Sequence, residues 1–453
     1  MIAAARLAAY EVLRAVASGR SDLPSALARA RARLPDERDR ALAGEIATGT
    51  LRWQAAFDHI IAAFADRPAP RLDPEVLAIL RLTMFQLLHL DRIPASAAVN
   101  DAVQLAGKAG KQSASGLVNA VLRRVSRERA RLPLPPRPTD PARDVAVALA
   151  YLATSLSHPD WLVARWVDRY GFAAAEDWAR FDNTPAPLTL RVNRLRTTRE
   201  ALAGALASHG VETAPARFAP DCLVVRSGNP LLTPLADGGH FLVQDEASQL
   251  VGAFTSVGPG DRVLDACASP GGKATQMAAE VGGGLVVASD VRGRRVDLLA
   301  STVRAAGADR VRVVRANAAA LPFGHVFDLV LLDAPCSGLG TLRRDPDIRW
   351  HRTEEELERL ADAQLAMLGQ SATVVRPGGR LVYSTCSGEP DENESVIARF
   401  LESHPAFEIA AAERFPPSVR PFTEAPGFFR TLPFRDGLEA FFAAMLVETK
   451  DLR

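Results

Sequence analysis

Apolar positions in the first 130 residues recur at intervals of three and four. Leu7, Tyr10, Val12 and Leu13 are followed by Leu23 and Leu27, and later by Val76, Leu77, Ile79, Leu80 and Leu82, the spacing of helices with one buried face. Breaks fall at Leu34-Pro35-Asp36, Arg67-Pro68-Ala69-Pro70 and Ile93-Pro94-Ala95, so residues 1–130 are predicted to form an all-helical domain of roughly six or seven helices. Prolines at 133, 135, 136, 138 and 141 then predict an extended linker over 131–143. The pattern is helical again from Asp144 to Phe181. LTLRVN (188–193) follows as an alternating strand, then a helical stretch over 198–208 and a second strand near Leu223-Val224-Val225. These elements make a small α+β module over 144–239. From residue 240 to 453 the chain alternates strand, glycine loop and helix through RVLDACASPGGKA, LVVASDV, RVRVVRAN, FDLVLLDAP and GRLVYSTCS. That alternation predicts an α/β domain with a mostly parallel, doubly wound sheet, whose ligands sit at the carboxyl ends of the strands.

A length of 453 residues is consistent with roughly two or three cores. With 48% hydrophobic and 24% charged residues, a mostly disordered or fibrous chain is excluded. No apolar run approaches the length of a membrane span. The N-terminal MIAAARLAAYEVLRAVA is interrupted at helical spacing by Arg6, Glu11 and Arg14, so it reads as an amphipathic helix rather than a signal peptide, and a cytoplasmic location is expected. Cys222, Cys267, Cys336 and Cys386 form no CxxC pair, and no histidine stands at finger spacing. Neither a disulfide framework nor a metal site is expected. The first 150 residues hold 22 Lys plus Arg against 15 Asp plus Glu, and the remainder 32 against 38. A basic N-terminal part fits a nucleic-acid face and fits a solvated arginine surface equally well. Only Lys108, Lys111, Lys273 and Lys450 are lysines, which makes Lys273 unusual for this chain.

The candidate chemistry gathers at predicted strand ends. Val263-Leu264-Asp265 runs into Cys267-Ala268-Ser269-Pro270-Gly271-Gly272-Lys273 and then a helix, a turn that lets a ligand approach the backbone and a helix N-terminus. Neither G-x-G-x-x-G nor a P-loop is present, which disfavours a dehydrogenase. Asp290 closes the next strand, where a carboxylate can take both hydroxyls of a ribose, although a helix N-cap is the plainer reading. Together they suggest an adenosine-bearing cofactor without a pyrophosphate. Asp333-Ala334-Pro335-Cys336 and Tyr383-Ser384-Thr385-Cys386 each end a strand, so both thiols should stand above the sheet rather than in the core. A neighbouring carboxylate does not activate a thiol; reactivity must come from the substrate and from placement.

The ordered set CASPGGKA, SDV, DAPCSG and YSTCS, with DPDIRW (345–350) and the terminal DGLEAFFAAML, resembles the S-adenosylmethionine-dependent RNA cytosine-5 methyltransferases of the Sun family over roughly 240–449. The first 130 residues resemble the NusB-like RNA-binding domain through RLTMFQLLHL, IPASAAVNDAV and GLVNAVLRRV; that domain followed by this catalytic domain is the arrangement of family members that act on 16S ribosomal RNA. The resemblance implies a Rossmann-like class I methyltransferase domain and assigns S-adenosylmethionine as cofactor. It implies Cys386 as nucleophile on carbon 6 of the base, Cys336 as the residue that assists release, and Asp333 between methyl donor and base. It also implies cofactor contacts from Cys267, Ala268, Ser269, Pro270, Gly271, Gly272, Lys273, Asp290, Asn317 and Asp333. Two positions depart from the family pattern: Asn317 stands where Asp is usual, and Ala274 where Thr is usual.

The implied partner is 16S rRNA, as naked RNA or within a partly assembled small subunit, with no DNA or membrane, and the expected working unit is a monomer. Arg343, Arg344 and Arg349 could meet phosphates and Trp350 could stack on a base, though solvated or packing roles serve each as well. Cytosine-5 methylation of another RNA, or an assembly module with a vestigial methyltransferase fold, are the competing readings.

Overall fold

The computed structural model describes residues 2–449. Lys450 and the last positions of the region read as catalytic lie outside the described residues. The chain divides into two compact units, Met1–Pro185 with Leu342–Glu354, and Ala186–Thr341 with Glu355–Arg453.

The first unit is helical. It begins with helices α1 (Ala4–Ala17), α2 (Leu23–Arg33), α3 (Glu37–Arg52), α4 (Gln54–Ala65), α5 (Pro74–His89), α6 (Ala95–Lys108) and α7 (Ser115–Glu128). The breaks at 34–36, 67–70 and 93–95 separate α2 from α3, α4 from α5 and α5 from α6, while the junctions after α1, α3 and α6 carry no proline between the helices and are set by the structure. Asp22 caps α2 by accepting from Ser25 N, and Asp36 caps α3 by accepting from Arg38 N, both at 2.7 Å; each satisfies a helix-end donor. On α7, Val118, Val121, Leu122 and Val125 are buried in the core they share with α1, α3 and α5, each stabilising by about 1.5–3 kcal/mol relative to exposure. Arg6, polar in the sequence pattern, lies inside: its guanidinium donates to Asp101 at 2.6 Å and to Gln86 at 2.7 Å, the pairing a buried charge requires.

Residues 132–139 carry no helix or strand, but they are tied down. Arg137 grips Glu176 at 2.8 Å, and Ser155 donates to the Pro135 carbonyl at 2.6 Å. Glu176 sits on the long helix Asp160–Asp182. Burial pushes its carboxyl up, but hydrogen bonds from Arg137, Arg180 and Tyr151 outweigh that and hold it at about 2.

The second unit contains two sheets. Strands β1 (Thr189–Val192), β2 (Glu212–Pro215), β3 (Cys222–Ser227) and β4 (Phe241–Val243) form an antiparallel sheet in the order β2-β3-β1-β4. The two strands expected near 188–193 and 223–225 are β1 and β3. Neither β2 nor β4 was legible, because β2 is a short bulged strand ending in proline and β4 has only three residues.

Among the described residues the larger sheet has nine strands. Its parallel part is β5 (Arg262–Asp265), β6 (Leu285–Asp290), β7 (Val311–Arg315), β8 (Phe327–Asp333) and β9 (Val375–Thr385), in the order β7-β6-β5-β8-β9. Leu329, Val330, Leu331 and Leu332 are all fully buried, as a strand covered on both faces requires. Beyond β9 the sheet turns antiparallel, with β13 (Phe441–Glu448), then β12 (Phe428–Thr431) and β11 (Thr423–Glu424), and β10 (Phe407–Ile409) pairing β13. The expected parallel sheet is thus one half of a mixed one. The chain crosses from β7 back to β8 beside β5, which makes the carboxyl end of β5 the topological switch point where ligands bind in such sheets.

Candidate active site

The strand order puts the predicted residues in a row along one edge of the sheet: Asn317 after β7, Asp290 at the end of β6, the loop Cys267–Lys273 after β5, Asp333 at the end of β8, and Cys386 after β9. The register does the rest. Asp333 lies directly opposite Ser384 in the parallel β8–β9 pair, so Cys336, three residues on, and Cys386, two residues on, leave the sheet side by side. Their sulfurs are 3.3 Å apart. Gly340 brings the returning chain within reach, its N–H donating to the Cys386 carbonyl at 2.9 Å; a Cβ there would lie 2.0 Å from the Ala440 carbonyl oxygen.

Asp333 is held by two donors, Lys273 Nζ at 2.6 Å and Ser384 Oγ at 2.8 Å. Burial works to lower the Lys273 ammonium, but the charge and hydrogen bond of Asp333, with Asp265 and Cys386 adding, leave it raised above its ordinary value. The Cys336 thiol is pushed well up, first by the hydrogen bond with Cys386, then by burial and the nearby negative charges. Burial, reinforced by Asp265, Asp333 and Asp290, pushes Cys267 up to about 12, so that thiol stays neutral.

The loop Cys267–Lys273 is built mainly by backbone. Ala268 N–H donates to the Ser289 carbonyl at 2.8 Å, and Gly271 N–H to the Ala268 carbonyl at 2.7 Å. Ser269 Oγ donates to the Arg295 carbonyl, and Arg295 returns a bond to the Ser269 carbonyl, both at 3.0 Å. Pro270 is exposed at the tip. Gly271 has φ +110°, a left-handed conformation that favours glycine, and Gly272 opens the helix that carries Lys273. Ala274 is fully buried, while its neighbour Thr275 donates to the Gly271 carbonyl at 2.7 Å and accepts from Arg191 at 2.7 Å. The loop therefore has a hydroxyl tether one residue beyond the position where the family usually carries threonine.

Asp290 is not a helix N-cap: the next helix starts at Gly293 behind Arg292. Its Oδ1 accepts from Arg292 N at 3.1 Å, and Oδ2 lies 3.3 Å from Arg295 Nε. Asn317 is exposed, its Oδ1 accepting from Ala319 N at 3.1 Å. Asp265, not singled out as a ligand residue from the sequence, is buried at the switch point with both carboxylate oxygens lacking a hydrogen-bond partner. Burial, with Asp333 adding, pushes its carboxyl up to about 7. A buried unpartnered carboxylate, an acid at the next strand tip and a glycine loop opening a helix fit an adenosine-bearing, cationic sulfonium cofactor. Among the described residues there is no His, Cys, Asp and Glu group able to hold a metal.

Arg349 and Trp350 do not point to RNA. Arg349 is 1% exposed. It donates to the carbonyls of Ser157 at 2.8 Å and Arg52 at 3.3 Å and to Asn183 Oδ1 at 3.1 Å. Trp350 Nε1 donates to the Leu51 carbonyl at 2.7 Å, and Arg343 lies over the Phe181 ring and donates to the Pro185 carbonyl at 2.8 Å. The segment 342–354 packs within the helical unit, which no local pattern in DPDIRW announces.

This sheet and the loops at its edge define an S-adenosylmethionine-dependent methyltransferase. The family model described as 16S rRNA methyltransferase RsmB/F matches residues 255–447, NusB family residues 3–127, and the RsmF/B-like ferredoxin-like domain residues 158–231. The probable ribosomal RNA small subunit methyltransferase B of Bacillus subtilis is 36% identical over 412 residues, 90% of each chain. That of Pseudomonas putida is 36% identical over 409 residues, 88% of this chain and 89% of its own. The crystal structure of PH0851 superposes with a TM-score of 0.79 at 25% identity, covering 98% of this chain and 99% of its own. The chain belongs to the ribosomal RNA small subunit methyltransferase B family.

Proposed function

We propose that this protein methylates carbon 5 of a cytosine in 16S rRNA through a covalent cysteine adduct. The observation that carries the reading is the pair of thiols 3.3 Å apart beside the Lys273–Asp333–Ser384 cluster. Carbon 5 of cytosine is a poor nucleophile, so a thiolate must first add to carbon 6 and push electron density onto carbon 5. Cys386 forms that bond. Bound S-adenosylmethionine supplies an electrophilic methyl group on a sulfonium. Asp333, oriented by Lys273 and Ser384, accepts a hydrogen bond from the base and orients the ring between thiol and methyl donor. Once carbon 5 carries the methyl, Cys336 assists removal of the carbon 5 proton; the electron pair re-forms the ring double bond as the Cys386–carbon 6 bond breaks.

The loop 267–273, Asp290 and Asn317 would hold the cofactor, with Asp290 on the ribose and Asn317 beside the adenine; its amide oxygen can accept from an amino group. The cytosine must reach Cys386 unstacked, since a thiol cannot attack it inside a helix. The basic helical part of the chain supports RNA as the partner, whether naked or in a partly assembled subunit.

The test is tritium transfer from labelled S-adenosylmethionine to unmodified 16S rRNA. Wild type should methylate, Cys386→Ala should be inactive, and Cys336→Ala should accumulate a gel-stable RNA adduct. Binding of cofactor and RNA without transfer would favour an assembly role instead, and label outside carbon 5 would overturn the cysteine assignments.

A further inference from the structure

After Cys386 the chain makes a short turn, Pro390–Glu392, and enters the helix Glu394–Ser403. Two adjacent residues at that junction, Glu392 and Asn393, are 0% and 1% exposed. Their side chains reach different loops. Glu392 Oε1 accepts from Ser337 N at 2.8 Å and from Gln364 Nε2 at 2.9 Å, and Oε2 accepts from Ser337 Oγ at 2.5 Å. Gln364 Nε2 also donates to the Pro335 carbonyl at 3.1 Å, so the residues on both sides of Cys336 are held. Asn393 Oδ1 accepts from Thr385 Oγ1 at 2.6 Å, and its Nδ2 donates to the Ser387 carbonyl at 2.9 Å, holding the residues on both sides of Cys386. Tyr383 completes the network, its hydroxyl donating to the Glu392 carbonyl at 2.5 Å.

A fully buried carboxylate is costly to desolvate, and packing alone would be served as well by an apolar side chain. What an apolar side chain cannot do is orient a loop by two directed bonds and brace it with a third through Gln364. We propose that Glu392 and Asn393 are a positioning pair: Glu392 sets the loop of Cys336, Asn393 sets the loop of Cys386, and their adjacency in the chain fixes one thiol relative to the other over the substrate base. This rests on the two-cysteine reading above. It makes the two steps unequally sensitive to each residue, because each side chain grips one loop, while a Ser337 Oγ–Ser387 Oγ bond at 3.2 Å links the two loops.

The experiment follows single turnovers with labelled S-adenosylmethionine and unmodified 16S rRNA, measuring gel-stable adduct and released methylated RNA separately. Glu392→Ala should slow release by about tenfold or more and accumulate adduct, as displacement of a reacting group by a fraction of an ångström does. Asn393→Ala should slow adduct formation by a similar factor with no accumulation. Cofactor affinity should stay within about twofold in both, since neither touches the loop 267–273. Glu392→Gln keeps an oxygen for Ser337 N and Gln364 and offers an N–H to Ser337 Oγ, so it should restore release. If Glu392→Ala does not fold, Ser337→Ala removes the hydroxyl contacts with Glu392, Ser387 and Leu339 N while leaving the Ser337 N–H bond to Glu392, and should accumulate adduct to a smaller degree. Equal adduct-to-product ratios in the Glu392, Ser337 and Asn393 variants and wild type would overturn the pairing. Failure of Cys336→Ala to trap adduct would instead overturn the two-cysteine reading, and the pairing with it.

Discussion

The two halves of the active edge are built differently. From β7 to β5 the rim is mainly backbone: a left-handed glycine at 271, carbonyl and amide bonds among Ala268, Gly271 and Ser289, and local turns at Asp290 and Asn317. From β8 to β9 it is side chain, a buried network in which Glu392, Gln364, Asn393, Ser337 and Tyr383 surround the two thiols. A rim made of backbone presents amides and strand-tip acids to a ligand of fixed shape. Under the proposed mechanism two thiols act in turn on one ring, which calls for directional bonds from several sides, because small misplacement is expensive in rate.

Substitutions can separate the halves, and the largest effect is expected where the two loops touch. Gly340→Ala puts a Cβ against the Ala440 and Cys386 carbonyls, so it should lower turnover about a hundredfold by displacing the Cys386 loop. Cofactor affinity by calorimetry should barely change; a large loss of affinity would show that the halves are not independent. On the other half, Asp290→Ala should weaken cofactor binding by about ten- to a hundredfold, the worth of hydrogen bonds to a charged group. Adduct formation at saturating cofactor should then be close to wild type. If it falls equally, the acid acts on chemistry rather than binding.

Smaller effects test the network. Tyr383→Phe leaves the Glu392 carbonyl without its buried donor and should cost about 1–2 kcal/mol in denaturant unfolding. An unchanged midpoint would show that the hydroxyl contributes nothing to holding the turn. A further effect is a pH dependence at Asp265. Asp265 has its folded-state carboxyl raised to about 7 from an ordinary value of 3.8. Its contribution to stability is therefore fully present below that ordinary value and is lost as pH rises through about 7. The ligand-free wild type should lose about 3 °C in Tm between roughly pH 5 and 8 relative to Asp265→Asn. Parallel curves for the two proteins would remove Asp265 as the source.

Much of this site could be read before folding because its parts are local. A strand that ends in Asp265, Asp290 or Asp333 and runs directly into a loop announces a strand tip, and Cys336 and Cys386 each follow such a tip within three residues. Glu392 and Asn393 could not be assigned in this way. Glu392 acts on a residue 55 positions earlier, and nothing in PDENES states which loop a side chain will reach. The same holds for Arg349, readable as a phosphate ligand until it is found capping backbone carbonyls in the helical unit, and for Arg6, polar in pattern and buried by an ion pair with Asp101.

Hydrophobic periodicity and turn residues by themselves determined the helical first part, the strand–loop–helix alternation and the end of the strands at which the candidate residues gather, since each depends on neighbours a few residues away. Tertiary structure alone decided that β8 and β9 pair with Asp333 opposite Ser384. It also decided that the sheet ends in antiparallel strands and that Lys273 reaches Asp333 across β5 and β8. Register and strand order are set by the packing of the whole core, and a distance of 3.3 Å between two sulfurs fifty residues apart exists only once that packing is complete.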